Sequence, residues 1–140
     1  MVVFLLDTNV VSESRRGRRG DPGVVAWSAS VAITDLYISA LVLGELRKGI
    51  AMSRRRQDYI QAENLDAWLR SLIQVFGNRI LPIDAVIADA WGEMYAIRNV
   101  PIVDGLLAAT AKVHNLTLVT RNISHVQGLG ADLLNPFTGS

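Results

Sequence analysis

The stretch Val2-Val3-Phe4-Leu5-Leu6-Asp7-Thr8-Asn9-Val10 decides the fold of this chain. Its apolar residues 2–6 predict a strand that is buried on both faces of a parallel sheet. Asp7 follows at the C-terminal tip of that strand, where ligands and functional groups lie in open α/β sheets. A single acid at a strand end is common, so this one needs partners. The candidates are Glu45, Asp104 and the polar cluster at residues 120–122.

The composition is that of one compact domain spanning residues 1–140. Half of the residues are apolar and 19% are charged, which suits a globular chain with a real core. The absence of cysteine excludes disulfides, thiolate metal sites and cysteine nucleophiles. No apolar run approaches the roughly 18 residues that span a bilayer, and the N-terminus lacks the pattern of a signal peptide. We therefore expect a cytoplasmic protein that makes no membrane contact.

Basic residues are concentrated in one part of the chain, although the formal net charge is only +1. Nine of the fourteen lie between residues 15 and 56. Such a block favours contact with nucleic-acid phosphates; the alternative is a solvated helix face next to a mobile loop. The basic residues that we expect to contact RNA are Arg15, Arg16, Arg47, Lys48 and Arg121.

Strand and helix patterns alternate along the chain, which predicts a mostly parallel sheet covered by helices. We expect Asp21, Ser39 and Asp84 to cap the helices that follow them. The predicted strands are residues 2–6, 36–38, 80–83 and 117–120, with a short edge strand at 132–134. The predicted helices begin near residues 9 and 22 and then span residues 40–51, 55–76, 85–95 and 103–114.

Glu45 has an unusual predicted environment. It shares one face of the 40–51 helix with Val42, Leu46 and Gly49, at helical spacing. We therefore expect its carboxylate to point inward among apolar neighbours. A buried carboxylate is costly unless it is paired or bound to a cation.

Asp7, Glu45 and Asp104 are expected at the same edge of the sheet. Their carboxylates would repel one another and shift each other's pKa, and a divalent cation would remove that conflict. Oxygen ligands, with no cysteine and no suitably spaced histidine pair, favour Mg²⁺ or Mn²⁺ over Zn²⁺. The alternative is structural: Asp7 and Asp104 cap helices, and Glu45 pairs with a neighbouring basic residue.

Five segments, in order along the chain, carry a family pattern. They are residues 4–12 (FLLDTNVVS), 38–40 with 44–49 (ISA and GELRKG), 80–84 (ILPID), 104–111 (DGLLAATA) and 116–122 (LTLVTRN). Each segment is weak alone, but the ordered set is quite specific and covers nearly the whole chain. The sequence resembles the PIN-domain ribonucleases, in particular the VapC-like and FitB-like toxins of bacterial toxin–antitoxin pairs.

This resemblance implies a three-layer α/β/α sandwich and an endoribonuclease site that depends on Mg²⁺ or Mn²⁺. Asp7, Glu45 and Asp104 fall on the three main acidic positions of the family, and Asn122 falls on a fourth. The residues expected to support this site are Thr8, Asn9 and Thr120.

The resemblance also implies partners. Similar toxins form homodimers and are inhibited by a small antitoxin that places a basic side chain in the acidic pocket; such pairs contact their operator DNA only through the antitoxin complex. The sequence departs from the family at His125 and Val126, where relatives often carry an acid followed by an aromatic residue. The link at residues 96–103 is also shorter than in relatives.

Two other classes remain open from the sequence. One is a degenerate PIN domain that binds RNA or an antitoxin without cutting. The other is a phosphoacceptor receiver or a haloacid-dehalogenase-like phosphatase, but both need a lysine near the late strands and residues 117–121 contain none. The phosphatase also needs a second Asp where Asn9 stands. A dinucleotide-binding protein is disfavoured because no glycine-rich turn follows the first strand.

Overall fold

A parallel sheet forms the centre of the molecule in the computed structural model, which describes residues 1–138. Five strands of this region pair side by side in the order β3-β2-β1-β4-β5, and all four pairings are parallel. Because β1 lies between β2 and β4, the residues that follow these three strands meet at one edge of the sheet. The strands are β1 (Phe4–Leu6), β2 (Leu36–Ser39), β3 (Ile80–Leu81), β4 (Thr117–Val119) and β5 (Asp132–Leu134).

Helices connect the strands, as the alternating pattern predicts. Short 3₁₀ turns at residues 17–19, 33–35 and 77–79 join some of them. Among residues 1–138, none of the helices combines the length and the apolar character needed to cross a membrane. The helices are α1 (Thr8–Arg15), α2 (Pro22–Ser30), α3 (Ala40–Arg55), α4 (Tyr59–Phe76), α5 (Ala85–Ile97), α6 (Ile102–His114) and α7 (Ile123–Val126).

The three N-caps predicted from the sequence are confirmed. The Asp21 carboxylate accepts hydrogen bonds from the amides of residues 23 and 24 at 2.9 and 3.1 Å. Ser39 Oγ accepts one from the Leu41 amide at 3.1 Å, and Asp84 Oδ1 accepts one from the Ile87 amide at 3.0 Å. Each cap satisfies a backbone donor that a helix start leaves without a partner.

The predicted helix at residues 55–76 is wrong at its start. The preceding helix continues to Arg55, and α4 begins only at Tyr59. Between them, Gln57 takes a left-handed φ of 63°, which ends α3, and Asp58 accepts a hydrogen bond from the Gln61 amide at 3.4 Å. The charged run at 54–58 therefore turns the chain so that α3 and α4 pack against each other.

The sheet and α6 share the main core. Leu5 on β1 and Leu107 and Ala108 on α6 are fully buried. Small residues allow α6 to approach closely, and at Gly105 an added Cβ would lie only 2.9 Å from the Val100 side chain. Close packing of Gly105 against Val100 and the Trp91 ring of α5 holds the first turn of α6, which carries Asp104, in place.

Candidate functional site

Asp7 is a buried carboxylate between β1 and α1. Its side chain is only 6% exposed, and it caps α1 by accepting a hydrogen bond from the Thr8 amide at 2.6 Å. The other carboxylate oxygen accepts one from Thr120 Oγ1 at 2.6 Å and a longer one from Asn9 Nδ2 at 3.4 Å. The structure thus brings together Asp7 and the three residues that the sequence assigned a supporting role.

The electrostatic surroundings of Asp7 disfavour its charged form. Burial is the main cause that raises the pKa of its carboxyl group, and the hydrogen bonds from Thr120 and Thr8 oppose that rise. The nearby carboxylates of Asp104 and Glu45 raise the pKa of Asp7 further. Among residues 1–138, Asp7 and Glu45 form no ion pair with a basic side chain. The carboxylates of Asp104 and Glu45 therefore act on a buried Asp7 that has little compensating positive charge.

Glu45 does not have the buried environment that its helical position predicted. It lies on α3, but the residue is exposed, and its Oε1 accepts a hydrogen bond from Thr8 Oγ1 at 2.5 Å. The inward place on this face is taken by Val42, which is fully buried. The long Glu45 side chain instead lies outside the core, where it reaches the start of α1. The prediction of a carboxylate surrounded by apolar groups was therefore wrong, whereas its place near Asp7 is supported.

Asp104 lies in the first turn of α6, and its side chain is 16% exposed. Its Oδ2 is 2.7 Å from Nδ1 of His125 on α7. Arg98 holds this segment in place by donating to the carbonyl oxygens of His125 and Gln127 at 3.2 and 2.8 Å. The sequence pointed to His125 as a departure from the family but did not predict this contact.

The loop after β4 completes the edge. Thr120 is buried, and its Oγ1 both donates to Asp7 and accepts a hydrogen bond from the Asn122 amide at 3.0 Å. The Arg121 amide lies 3.4 Å from Asn9 Oδ1. Asn122 is half-buried at the start of α7 and stands two residues beyond Thr120. Backbone and hydroxyl contacts therefore tie this loop to Asp7.

The oxygen atoms that this edge offers as ligands fit a hard divalent cation. Its functional groups are carboxylates, hydroxyls and amides, which are the oxygen ligands that Mg²⁺ uses. The buried Asp7 carboxylate, which has no basic partner, fits as a ligand. Within residues 1–138, however, no group of three or more His, Asp or Glu side chains lies close enough together to hold a metal ion. The acids are thus near one another but do not form a compact ligand cluster.

The basic residues that the sequence predicted to contact RNA have two kinds of surroundings. Some are held by carboxylates: Arg47 lies 3.0 Å from Asp66, and Arg16 lies 3.4 Å from Glu13. Others contact aromatic rings or solvent. Arg15 lies over Trp68, with 5.8 Å between the guanidinium carbon and the ring centroid; Arg121 lies 4.7 Å from the centroid of Phe137; and Lys48 is exposed.

Comparison with known proteins gives a consistent result. The family described as the PIN domain matches residues 4–126. Toxin FitB of Neisseria gonorrhoeae is 33% identical over 96% of this chain and 99% of its own length. The VapC ribonuclease Y4jK of Sinorhizobium fredii is 30% identical over 96% of this chain and 98% of its own. A solved structure of FitAB bound to the IR36 DNA fragment has a TM-score of 0.79 at 31% identity, covering 96% of this chain and 95% of that one.

Proposed function

The chain belongs to the PIN-domain family, and on that basis we propose that it is a metal-dependent endoribonuclease that acts as the toxin of a toxin–antitoxin pair. The observation that carries this proposal is the acidic edge of the sheet. Asp7 is buried there without a basic partner, and the carboxylates of Asp104 and Glu45 act on it. A buried carboxylate with a raised pKa at the C-terminal edge of a parallel sheet is typical of a functional site.

Asp7 and Asp104 would hold Mg²⁺ or Mn²⁺, with Glu45 and Asn122 reaching the ion directly or through water. Such an ion lowers the pKa of a bound water and stabilises negative charge on a phosphate. Thr120 fixes the orientation of the Asp7 carboxylate, and Thr8 does the same for Glu45. Residues that orient the ligands of a metal in this way influence both its affinity and the activity.

The expected products follow from simple hydrolysis of the RNA backbone. Water adds to phosphorus, the bond to the 3′ oxygen breaks, and a proton passes to that oxygen. The products carry 5′-phosphate and 3′-hydroxyl ends. Arg15 and Arg121 are suited to hold phosphates on either side of the cut, whereas Arg16 is already paired with Glu13. Arg47 contributes less, because Asp66 already neutralises it.

The proposed partners are a small antitoxin and a second copy of the chain. The similarity to toxin FitB over nearly the full length supports the toxin assignment. The similarity to a structure of FitAB on DNA supports an assembly that contacts operator DNA. We propose that this chain reaches DNA only within such an assembly.

Two observations favour a second candidate function, a PIN domain that binds RNA or an antitoxin without cutting. His125 occupies one oxygen of Asp104, and the acids do not form a compact cluster among residues 1–138. Metal binding without turnover on any RNA would identify this alternative.

The test is cleavage of a mixed tRNA and rRNA pool by purified protein in Mg²⁺ or Mn²⁺. Asp104→Asn, purified identically, is the matched control because it preserves shape and removes one charge. We expect cutting by the native protein alone, its loss in excess EDTA, and 5′-phosphate ends on the products. Equal cutting by both proteins, or 2′,3′-cyclic phosphate ends, would overturn the assignment.

A further inference from the structure

A cleft of about 310 Å³ lies between α1, α3 and α4, directly beside the acidic edge. We propose that it binds the nucleotide adjacent to the cut and thereby contributes to the sequence preference of the enzyme. This proposal rests on the proposed ribonuclease function and adds a substrate subsite to it. Its walls include Thr8, Arg15, Glu45, Arg56, Gln61 and Trp68.

The cleft is continuous with the acidic edge. Thr8 and Glu45 line it, and the hydrogen bond between them forms its border with Asp7. A nucleotide in the cleft would therefore be linked, through its own phosphate, to the nucleotide that lies next to Asp7. The subsite would then hold the nucleotide next to the one that is cut.

The positive charges of the cleft are available to a ligand. Among residues 1–138, neither Arg15 nor Arg56 forms an ion pair with a carboxylate. Arg56 instead donates a long hydrogen bond of 3.4 Å to Ser53 Oγ. By contrast, Arg47, Arg54 and Arg70 all surround Asp66. The two cleft arginines can therefore neutralise phosphates of the RNA backbone.

The cleft also has groups that suit a base. The half-buried Trp68 ring and the guanidinium of Arg15 above it are planar surfaces of the kind on which unpaired bases stack. The amide of Gln61 supplies both donors and an acceptor for a base edge. Ser12 and Ser53 add hydroxyl groups to the wall. The volume is near the lower end of small-molecule sites, about 300 Å³, which suits one nucleotide.

A second cavity, on the other side of Arg15 and Trp68, has a different character. It measures about 330 Å³ and has apolar walls that include Leu36, Leu72 and Phe76. The first cleft has mixed polar and apolar walls, and it contains Glu45 and Arg56, which do not line this second cavity. Its charge and hydrogen-bonding groups favour a nucleotide over an apolar peptide.

The test measures RNA binding without relying on turnover. In the Asp104→Asn background, fluorescence anisotropy gives Kd values for fluorescein-labelled RNA octamers of A, U and C. Gln61→Ala and Arg56→Gln are compared with Gln74→Ala and Arg70→Gln, which are exposed on α4 and do not line the cleft. Circular dichroism checks that each variant is folded.

We expect each cleft variant to raise Kd about fivefold for at least one octamer and to reduce the difference between octamers, as the loss of one base or phosphate contact would. The control variants should stay within about twofold of their parent, because surface changes away from a binding site cost little. In cleavage of a random RNA pool, the base frequencies beside the cut should become more even for the cleft variants alone.

The proposal is overturned if the cleft variants bind all octamers as the controls do. It is also overturned if they weaken capture of a protein partner and leave RNA binding unchanged, which would make the cleft a peptide site. If the native protein cuts no RNA while Gln61→Ala still weakens octamer binding, the ribonuclease function fails and the nucleotide site stands.

Discussion

Carboxylates at two places in this molecule have opposite surroundings. Asp66, between α3 and α4, accepts hydrogen bonds from Arg47 and Arg54 at 3.0 Å, and these contacts lower its pKa. Asp7, at the sheet edge, has hydroxyl and amide donors but no basic partner within residues 1–138, and burial raises its pKa. An acid in a protein is thus compensated either by the fold itself, as Asp66 is, or by a ligand, as we propose for Asp7. The second arrangement is the one that marks a functional site.

The largest expected effect is on cleavage. Asp7→Asn and Asp104→Asn should each lower the initial rate at least about a hundredfold, because each removes a ligand charge from the proposed metal site. Asp66→Asn is the matched control, since it removes a carboxylate that only arginines contact. Rates on one RNA substrate at saturating Mn²⁺ give the comparison. If Asp66→Asn lowers the rate as much as Asp7→Asn does, the two carboxylates have no distinct roles.

A smaller effect is expected at Glu45, which is exposed and reaches the edge through Thr8. Glu45→Gln should reduce the cleavage rate about 10- to 100-fold, the range for groups that orient metal ligands. Thr8→Val should reproduce part of this loss, because it removes the hydroxyl that donates to Glu45. The measurement is kcat and KM for each variant. A fully active Glu45→Gln variant would show that the Glu45 carboxylate plays no part in cleavage.

The two acids should also differ in their effect on stability. Since burial favours the neutral form of Asp7, Asp7→Asn should leave Tm unchanged or raise it. Asp66→Asn should lower Tm by a few degrees, because it leaves the arginines of α3 and α4 without their shared partner. Differential scanning calorimetry without added metal measures both. A lower Tm for Asp7→Asn than for Asp66→Asn would reverse the comparison.

The smallest expected effect is on the pH dependence of stability. The pKa of Asp66 is lower in the folded chain than in the unfolded one, so its contribution is present above the unfolded pKa of about 3.9 and is lost as the pH falls through the folded pKa. The free energy of unfolding, measured with urea between pH 3 and pH 7, should therefore fall less steeply in acid for Asp66→Asn. High salt should reduce the difference, since the pair is near the surface. If the free energy of unfolding changes with pH equally in the native chain and in Asp66→Asn, the ion pairs at Asp66 do not contribute to stability.

The sequence predicted the fold well where local patterns carry the information. Local sequence rules identify three features: the apolar run before Asp7, the caps at Ser39 and Asp84, and the small residues of α6. They place the ends of β1, β2 and β4 at one edge, and the parallel sheet confirms this arrangement. The five-stranded sheet also includes the short strand predicted at residues 132–134.

The sequence could not predict features that depend on contacts between distant segments. Helical spacing placed Glu45 on the face of Val42, but it does not determine how far a long side chain extends out of the core. The break at Gln57 depends on one left-handed residue within a charged run. The contact between His125 and Asp104 requires the packing of α7 beside α6, with Arg98 holding the loop.

Direct measurement of Mn²⁺ binding tests whether the acids of the sheet edge, with Asp7 buried among them, hold a divalent cation. Electron paramagnetic resonance of free Mn²⁺, titrated with protein at pH 7 without RNA, gives the affinity for the native chain, Asp7→Asn and Asp66→Asn. We expect the native chain and Asp66→Asn to bind with the same affinity and Asp7→Asn to bind at least about tenfold more weakly. Equal binding by all three proteins, or no binding by the native chain, would contradict the account.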